Sequence, residues 1–211
     1  MTEKTVVFVC TGNTCRSPMA EAVLRYELKK RRIEDVVVRS AGIRASEGGF
    51  INEKSAAVLA ENGLSIENFS PTPLNAEILE KAFAIISMTD EQRDLLMELR
   101  WTVLRKAGLE EIENNVYSFS ETGGYEIPDP YGKDMEAYRT TYRLISEGMN
   151  ALVEKLLLPP PEKAEKPKKP RKPRTTSQTK KTAAKKTTTK KTAGKKSAPK
   201  KKTPKGSGGN L

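Results

Sequence analysis

Short apolar runs alternate with longer stretches in which apolar positions recur every three or four residues. Thr5-Val6-Val7-Phe8-Val9 reads as a buried strand. From Ser17 to about Arg32, Met19, Val23 and Tyr26 share one row and Ala20, Leu24 and Leu28 the next, which predicts a helix apolar on one side. Asp35 to Ser40 reads as a second strand ending at Gly42, and Asn52 to Asn62 as a helix closed by Gly63. Ser65 to Leu74 is a loop with Pro71 and Pro73, and Asn75 to Lys81 starts another helix. Phe83 to Met88 is a third strand, after which Thr89 caps a helix from Asp90 to about Arg100. Val116 to Phe119 is a fourth strand, followed by a long loop through Gly132. Asp134 to Leu158 is a last helix, stopped by Pro159-Pro160-Pro161. Strands alternating with helices imply an α/β three-layer sandwich around a four-stranded, mostly parallel sheet. In such sheets, sites gather beyond the carboxyl ends of the strands.

The first such end carries Cys10-Thr11-Gly12-Asn13-Thr14-Cys15-Arg16-Ser17. Gly12 and Asn13 tolerate positive φ, so the loop can curl tightly. Ser17 and Pro18 read as N-cap and first helical residue. A loop so placed aims backbone N–H groups and a helix N-terminus at one spot, which suits a phosphate dianion. Arg16 adds a bidentate fork. The same field favours the Cys10 thiolate, the attacking form. A cysteine and an arginine separated by five residues occur by chance in many chains, and cysteines near strand ends are often plain core residues. The preceding strand, the glycine, the Ser-Pro pair and the amphipathic helix carry the reading.

Pro128-Asp129-Pro130-Tyr131-Gly132 is the second informative segment. Two prolines stiffen the backbone around one carboxylate. A rigid aspartate can protonate a leaving group and then take a proton from the hydrolytic water. Taken alone, Asp129 reads equally well as the cap of a turn.

Charge divides the chain. Residues 1–158 hold 19 Lys and Arg against 25 Asp and Glu, net −6, whereas residues 159–211 hold 19 against 2, net +17. The first part is long enough for one domain with a real core. The second has no aromatic residue and only Leu211 as a large aliphatic, so a disordered tail is expected. Lysine pairs recur there every five residues from Lys180, a pattern that resembles histone-like tails and suits nucleic acid or another polyanion by counterion release. A solubilising extension is the plain alternative. No 18-residue apolar run and no signal peptide occurs, so no transmembrane segment is expected. Two cysteines in one loop give no disulfide framework and fit a reducing cytoplasm. The tail admits nucleoid association, or a nuclear signal at Lys168 to Arg174 in a eukaryotic cell. Histidine is absent, which removes Cys-His pairs and most zinc sites. No metal and no cofactor is expected.

Together, the Cys10 loop, the Ser40-Ala41-Gly42 turn and Asp129-Pro-Tyr-Gly resemble the low-molecular-weight protein tyrosine phosphatase family over about residues 4–158. The resemblance implies a phosphoprotein substrate, with Cys10 forming a phosphocysteine, Arg16 holding the phosphate and Asp129 serving as acid and base. Thr11, Gly12, Asn13, Thr14, Cys15 and Ser17 would form the phosphate loop, with Asn13, Ser17 and Ser40 bracing it. Thr14 replaces the bulky aliphatic of many tyrosine-specific members and resembles the bacterial protein arginine phosphatases, so phosphoarginine is expected ahead of phosphotyrosine. Tyr131 either walls the pocket or packs on the domain. Cys15 is either a small core residue or, as in family members, a thiol that traps oxidised Cys10. Some members brace the loop with a histidine; here the comparable stretch is Asn68-Phe69-Ser70-Pro71, so the brace must differ. The competing class is a nucleic-acid-binding, histone-like protein with an inactive or regulatory phosphatase-like domain.

Overall fold

The computed structural model describes residues 3–109 and 113–158. The basic tail and the three prolines expected to stop the last helix lie outside them. In chain order the elements are β1 (Lys4–Cys10), α1 (Arg16–Arg31), β2 (Val36–Gly42), α2 (Glu53–Glu61), α3 (Ala76–Lys81), β3 (Ala84–Ser87), α4 (Asp90–Lys106), β4 (Val116–Ser118), α5 (Phe119–Gly123) and α6 (Met135–Leu156). The sheet runs β2-β1-β3-β4 and every pairing is parallel. Both faces are covered, which is why β1 and β3 read as continuous apolar runs.

Strand alternation divides the core. Val6 and Phe8 face α1, α5 and α6, where Met19, Leu24, Phe119, Ile145 and Met149 are buried. Val7, Val9 and Ile85 face the other way, onto Leu79 of α3 and Leu96 of α4. The ring of Phe119 wedges α5 against α6. A Cβ at Gly123 or Gly148 would come within 2.3 or 2.5 Å of that ring.

Several expectations need correcting. α1 begins at Arg16, with Cys15 at its N-cap and no side-chain cap. Ser17 does not cap it, because its hydroxyl is engaged with Cys10 and Asn13. Tyr26 is exposed rather than part of the apolar row. β2 begins at Val36 rather than Asp35, and ends at Gly42 as expected, where its end pairs with the end of β1. Phe83 falls outside β3 and is exposed, with the Lys4 ammonium over its ring. α4 continues past Arg100 to Lys106, because no breaker occurs before Gly108 at φ 75°. The fourth strand stops at Ser118, and the segment expected to be all loop opens with α5. Ser118 and Glu121 form a capping box there, each side chain bonded to the other's backbone N–H.

Reversal of strand order about β1 opens a crevice beyond the ends of β1 and β3. The Cys10 loop leaves one strand there. The Asp129 loop is stitched to the other by Ile127 N–H donating to Met88 O at 2.9 Å.

Candidate active site

From Thr11 to Cys15 the chain leaves β1 and curls into α1. Its carbonyls turn outward: those of Cys10 and Thr11 accept from Ile43 and Arg44 at 2.9 and 2.8 Å, and that of Thr14 accepts from Asn52 at 2.9 Å. Among the described residues, no protein acceptor takes the N–H groups of Thr11, Gly12, Asn13, Thr14 or Cys15. A run of unspent amides at a helix start is an anion cradle. Arg16, 4% exposed, lies beside it with its buried Nε lacking any partner among the described residues.

Asn13 makes the curl possible. It sits in the left-handed region at φ 53° and is fully buried. Its amide nitrogen donates to Ser17 Oγ and to Ser40 Oγ, both at 2.9 Å, while its Oδ1 accepts from Thr72 N–H at 2.7 Å. Thr72 N–H thus braces the Asn13 carbonyl oxygen in a chain that has no histidine. Ser17 Oγ lies 3.0 Å from Cys10 Sγ, close enough to steady a thiolate. Gly42 lets β2 close on the loop, since a Cβ there would fall 2.8 Å from Asn13 N and 2.9 Å from Thr11 O.

Opposite stands Asp129, its side chain half exposed, with Oδ2 2.7 Å from Arg16 Nη2. Arg16 Nη1 also donates to Ile127 O at 3.4 Å, so one guanidinium touches both halves of the site. Tyr131 N–H donates to Asp129 Oδ1 at 3.2 Å, which orients the carboxylate. A cavity of about 350 Å³ lies between, lined by Cys10, Thr11, Gly12, Thr14, Cys15, Arg16, Asp129 and Tyr131. Tyr131 is 71% exposed, so it stands at the rim rather than packing on the domain. Thr14 is half-buried and faces the same space.

Cys15 turns away. Its sulfur packs with Val58 and lies 3.7 Å from the hydroxyl of buried Tyr138. Burial, then the bond to Cys15, pushes that phenol well above its usual range. Both cysteines are free.

All the expected site residues except Ser40 line this cavity or lie directly behind its wall. Ser40 acts from below through Asn13. Sequence reasoning missed Thr72, whose contribution is a backbone N–H and leaves no side-chain trace. It also missed Gln92 on α4, which donates to Thr11 Oγ1 at 3.2 Å, and Glu21 on α1, which accepts from Ser40.

Residues 5–158 match the family described as low molecular weight phosphotyrosine protein phosphatase. The protein-arginine-phosphatase of Bacillus subtilis (strain 168) is 30% identical over 154 residues, spanning 72% of this chain and 95% of the relative. A probable low molecular weight protein-tyrosine-phosphatase, EpsP of Ralstonia nicotianae, is 31% identical over 153 residues, 72% of this chain and 96% of its own. A crystal structure of a YwlE mutant from Bacillus subtilis superimposes with a TM-score of 0.63 at 28% identity, over 73% of this chain and 99% of that one. The chain belongs to the low molecular weight phosphotyrosine protein phosphatase family. It is a cysteine-dependent protein phosphatase.

Proposed function

We propose that the chain hydrolyses phosphoarginine on proteins through a phosphocysteine on Cys10. The observation that carries the chemistry is the run of unspent amides around Cys10, with Arg16 and Asp129 paired at its mouth. On binding, the phosphoryl oxygens take the amides and the Arg16 fork, and Asp129 is released towards the leaving group. Cys10 Sγ attacks phosphorus as the P–N bond breaks, and Asp129 gives its proton to the departing guanidine nitrogen. Water, deprotonated by Asp129, then attacks the phosphocysteine and frees Cys10 as thiolate. Ser17 Oγ meets the sulfur in both states, and Arg16 holds the charge that develops on phosphorus.

Relatives named for phosphoarginine and for phosphotyrosine match at similar identity, so substrate choice falls on the pocket itself. Thr14 gives the wall a short side chain with a hydroxyl where a phenyl ring would want an aliphatic surface. The half-exposed Asp129 offers a hydrogen-bond donor to the guanidine nitrogen it protonates. Parallel rates on phosphoarginine and phosphotyrosine peptides, for the protein and for Thr14→Ile, test this. Phosphoarginine is the faster substrate, and the substitution moves preference towards tyrosine. An unmoved ratio overturns the assignment.

The basic tail is proposed to hold the enzyme on nucleic acid or a similar polyanion in the cytoplasm, supported by its net +17 and regular lysine pairs. Truncation after Leu158 removes low-salt DNA retention and leaves small-substrate hydrolysis intact; retention that survives truncation overturns this part. No helix among the described residues is long and apolar enough to cross a membrane.

A further inference from the structure

One buried carboxylate near the site takes no part in the proposed reaction. Glu21 lies in the second turn of α1 and is 5% exposed. Its Oε2 accepts the Ser40 hydroxyl at 2.5 Å, and its Oε1 pairs with Arg25 one turn along the helix. Burial pushes its carboxyl above the usual range, against the opposite pull of the Ser40 bond and of the Arg25 and Arg39 charges. A buried carboxylate is costly even when paired, so its presence calls for a reason.

The directions of the hydrogen bonds supply one. Both hydrogens of the Asn13 amide nitrogen are committed, one to Ser17 and one to Ser40. Ser40 Oγ therefore accepts, and its own hydrogen must go elsewhere. An ionised carboxylate only accepts, so Glu21 takes it. With Thr72 N–H on Asn13 Oδ1, every bond of the Asn13 amide then runs in one sense. Ser17 also accepts from Asn13, which leaves its hydrogen for Cys10 Sγ at 3.0 Å or Ala41 O at 3.3 Å.

We infer that Glu21 is a positioning residue: as terminal acceptor of the chain Asn13–Ser40–Glu21, it fixes the amide of Asn13 so that the Ser17 proton is available to the Cys10 sulfur. The inference rests on Cys10 being the nucleophile. Glu21 touches neither phosphate nor leaving group and acts through three intervening side chains.

Glu21→Gln keeps the volume but brings one carbonyl to two donors, Ser40 and Arg25, so an NH₂ must face one of them. Glu21→Gln/Arg25→Met removes the second donor and lets the Gln carbonyl face Ser40. For a chromogenic aryl phosphate, Glu21→Gln lowers kcat on the order of tenfold with KM within about twofold. Alkylation of Cys10 by iodoacetamide at mildly acidic pH slows by a similar factor. The double variant returns kcat to within about threefold of Arg25→Met, and in a Ser40→Ala background Glu21→Gln has no further effect. Wild-type kcat and alkylation in Glu21→Gln, failure of the double variant to recover, or an additive loss with Ser40→Ala each overturns the inference. Should Glu21→Gln alone not fold, the double variant against Arg25→Met decides by the same threefold margin. Wild-type hydrolysis no faster than Cys10→Ser would instead remove the nucleophile reading itself.

Discussion

The two loops that meet in the cavity are built in opposite ways. The Cys10 loop is held from behind on several sides: Asn13, Ser17 and Arg16 are buried, and its carbonyls are tied to the segment after β2. The Asp129 loop is exposed except at half-buried Tyr125 and buried Ile127 and Pro130. Its ties include Ile127 to Met88, Glu126 Oε1 accepting Asp90 N–H at 2.6 Å, the Tyr125 hydroxyl donating to Leu144 O at 2.8 Å, the Lys54 ammonium donating to Lys133 O, and the contacts with Arg16. On the proposed mechanism, the difference follows from the task of each loop. An anion cradle stabilises charge in proportion to how little it must rearrange. A proton donor must exchange Arg16 for a leaving group, and so gains from a looser hold.

The largest test of that contrast is Cys10→Ser, which should cut hydrolysis by on the order of 10⁴-fold or more, measured with an aryl phosphate. Asp129→Asn should lower kcat by about 10²-fold or more on phosphopeptides, and less on an aryl phosphate whose leaving group needs little protonation. If the cradle is the preorganised half, Asn13→Ala should weaken inhibition by inorganic phosphate and lower Tm together, at a stability cost of about 1–3 kcal/mol for the orphaned groups. Glu126→Ala should do the reverse, with Tm nearly unchanged and kcat down by about threefold, since only an exposed tie is lost. A fall in Tm with Glu126→Ala comparable to that with Asn13→Ala would erase the distinction.

The smallest expected effect concerns Asp90, at the N-terminus of α4. Hydrogen bonds from Ser118 and then Ser120 hold its carboxyl below the usual range. A lowered carboxyl contributes stability that is present above the unfolded value, about 4, and lost as pH falls through the folded value. Asp90→Asn should therefore lower Tm near neutral pH, and the gap to the wild type should close as pH drops below about 4. A gap that widens in acid reverses the sign.

The cradle was legible in the sequence because it is contiguous. Strand, loop, Arg16 and helix lie within residues 4–31, and their chemistry needs no distant partner. Asp129 was legible through its flanking prolines. The mostly parallel sheet followed from the alternation of strands with helices; the order β2-β1-β3-β4 did not, because it depends on which strands pair across the fold. What escaped depends on the fold bringing separate segments together: the Thr72 amide on Asn13, Gln92 on Thr11, Glu21 under Ser40. The start of α1 was misread for a related reason. Ser17 is a good capping residue locally, but Cys10 and Asn13 claim its hydroxyl. The capping box of α5 is a different case, since Ser118 and Glu121 stand at the right spacing in the chain and were open to reading.

The amide of Thr72 has one more bearing. An imidazole in that place would gain or lose a hydrogen as a cell's acidity drifts through the neutral range, and the shape it propped would drift with it. A peptide nitrogen keeps its single hydrogen throughout. The brace on Asn13 is therefore indifferent to acidity across that range.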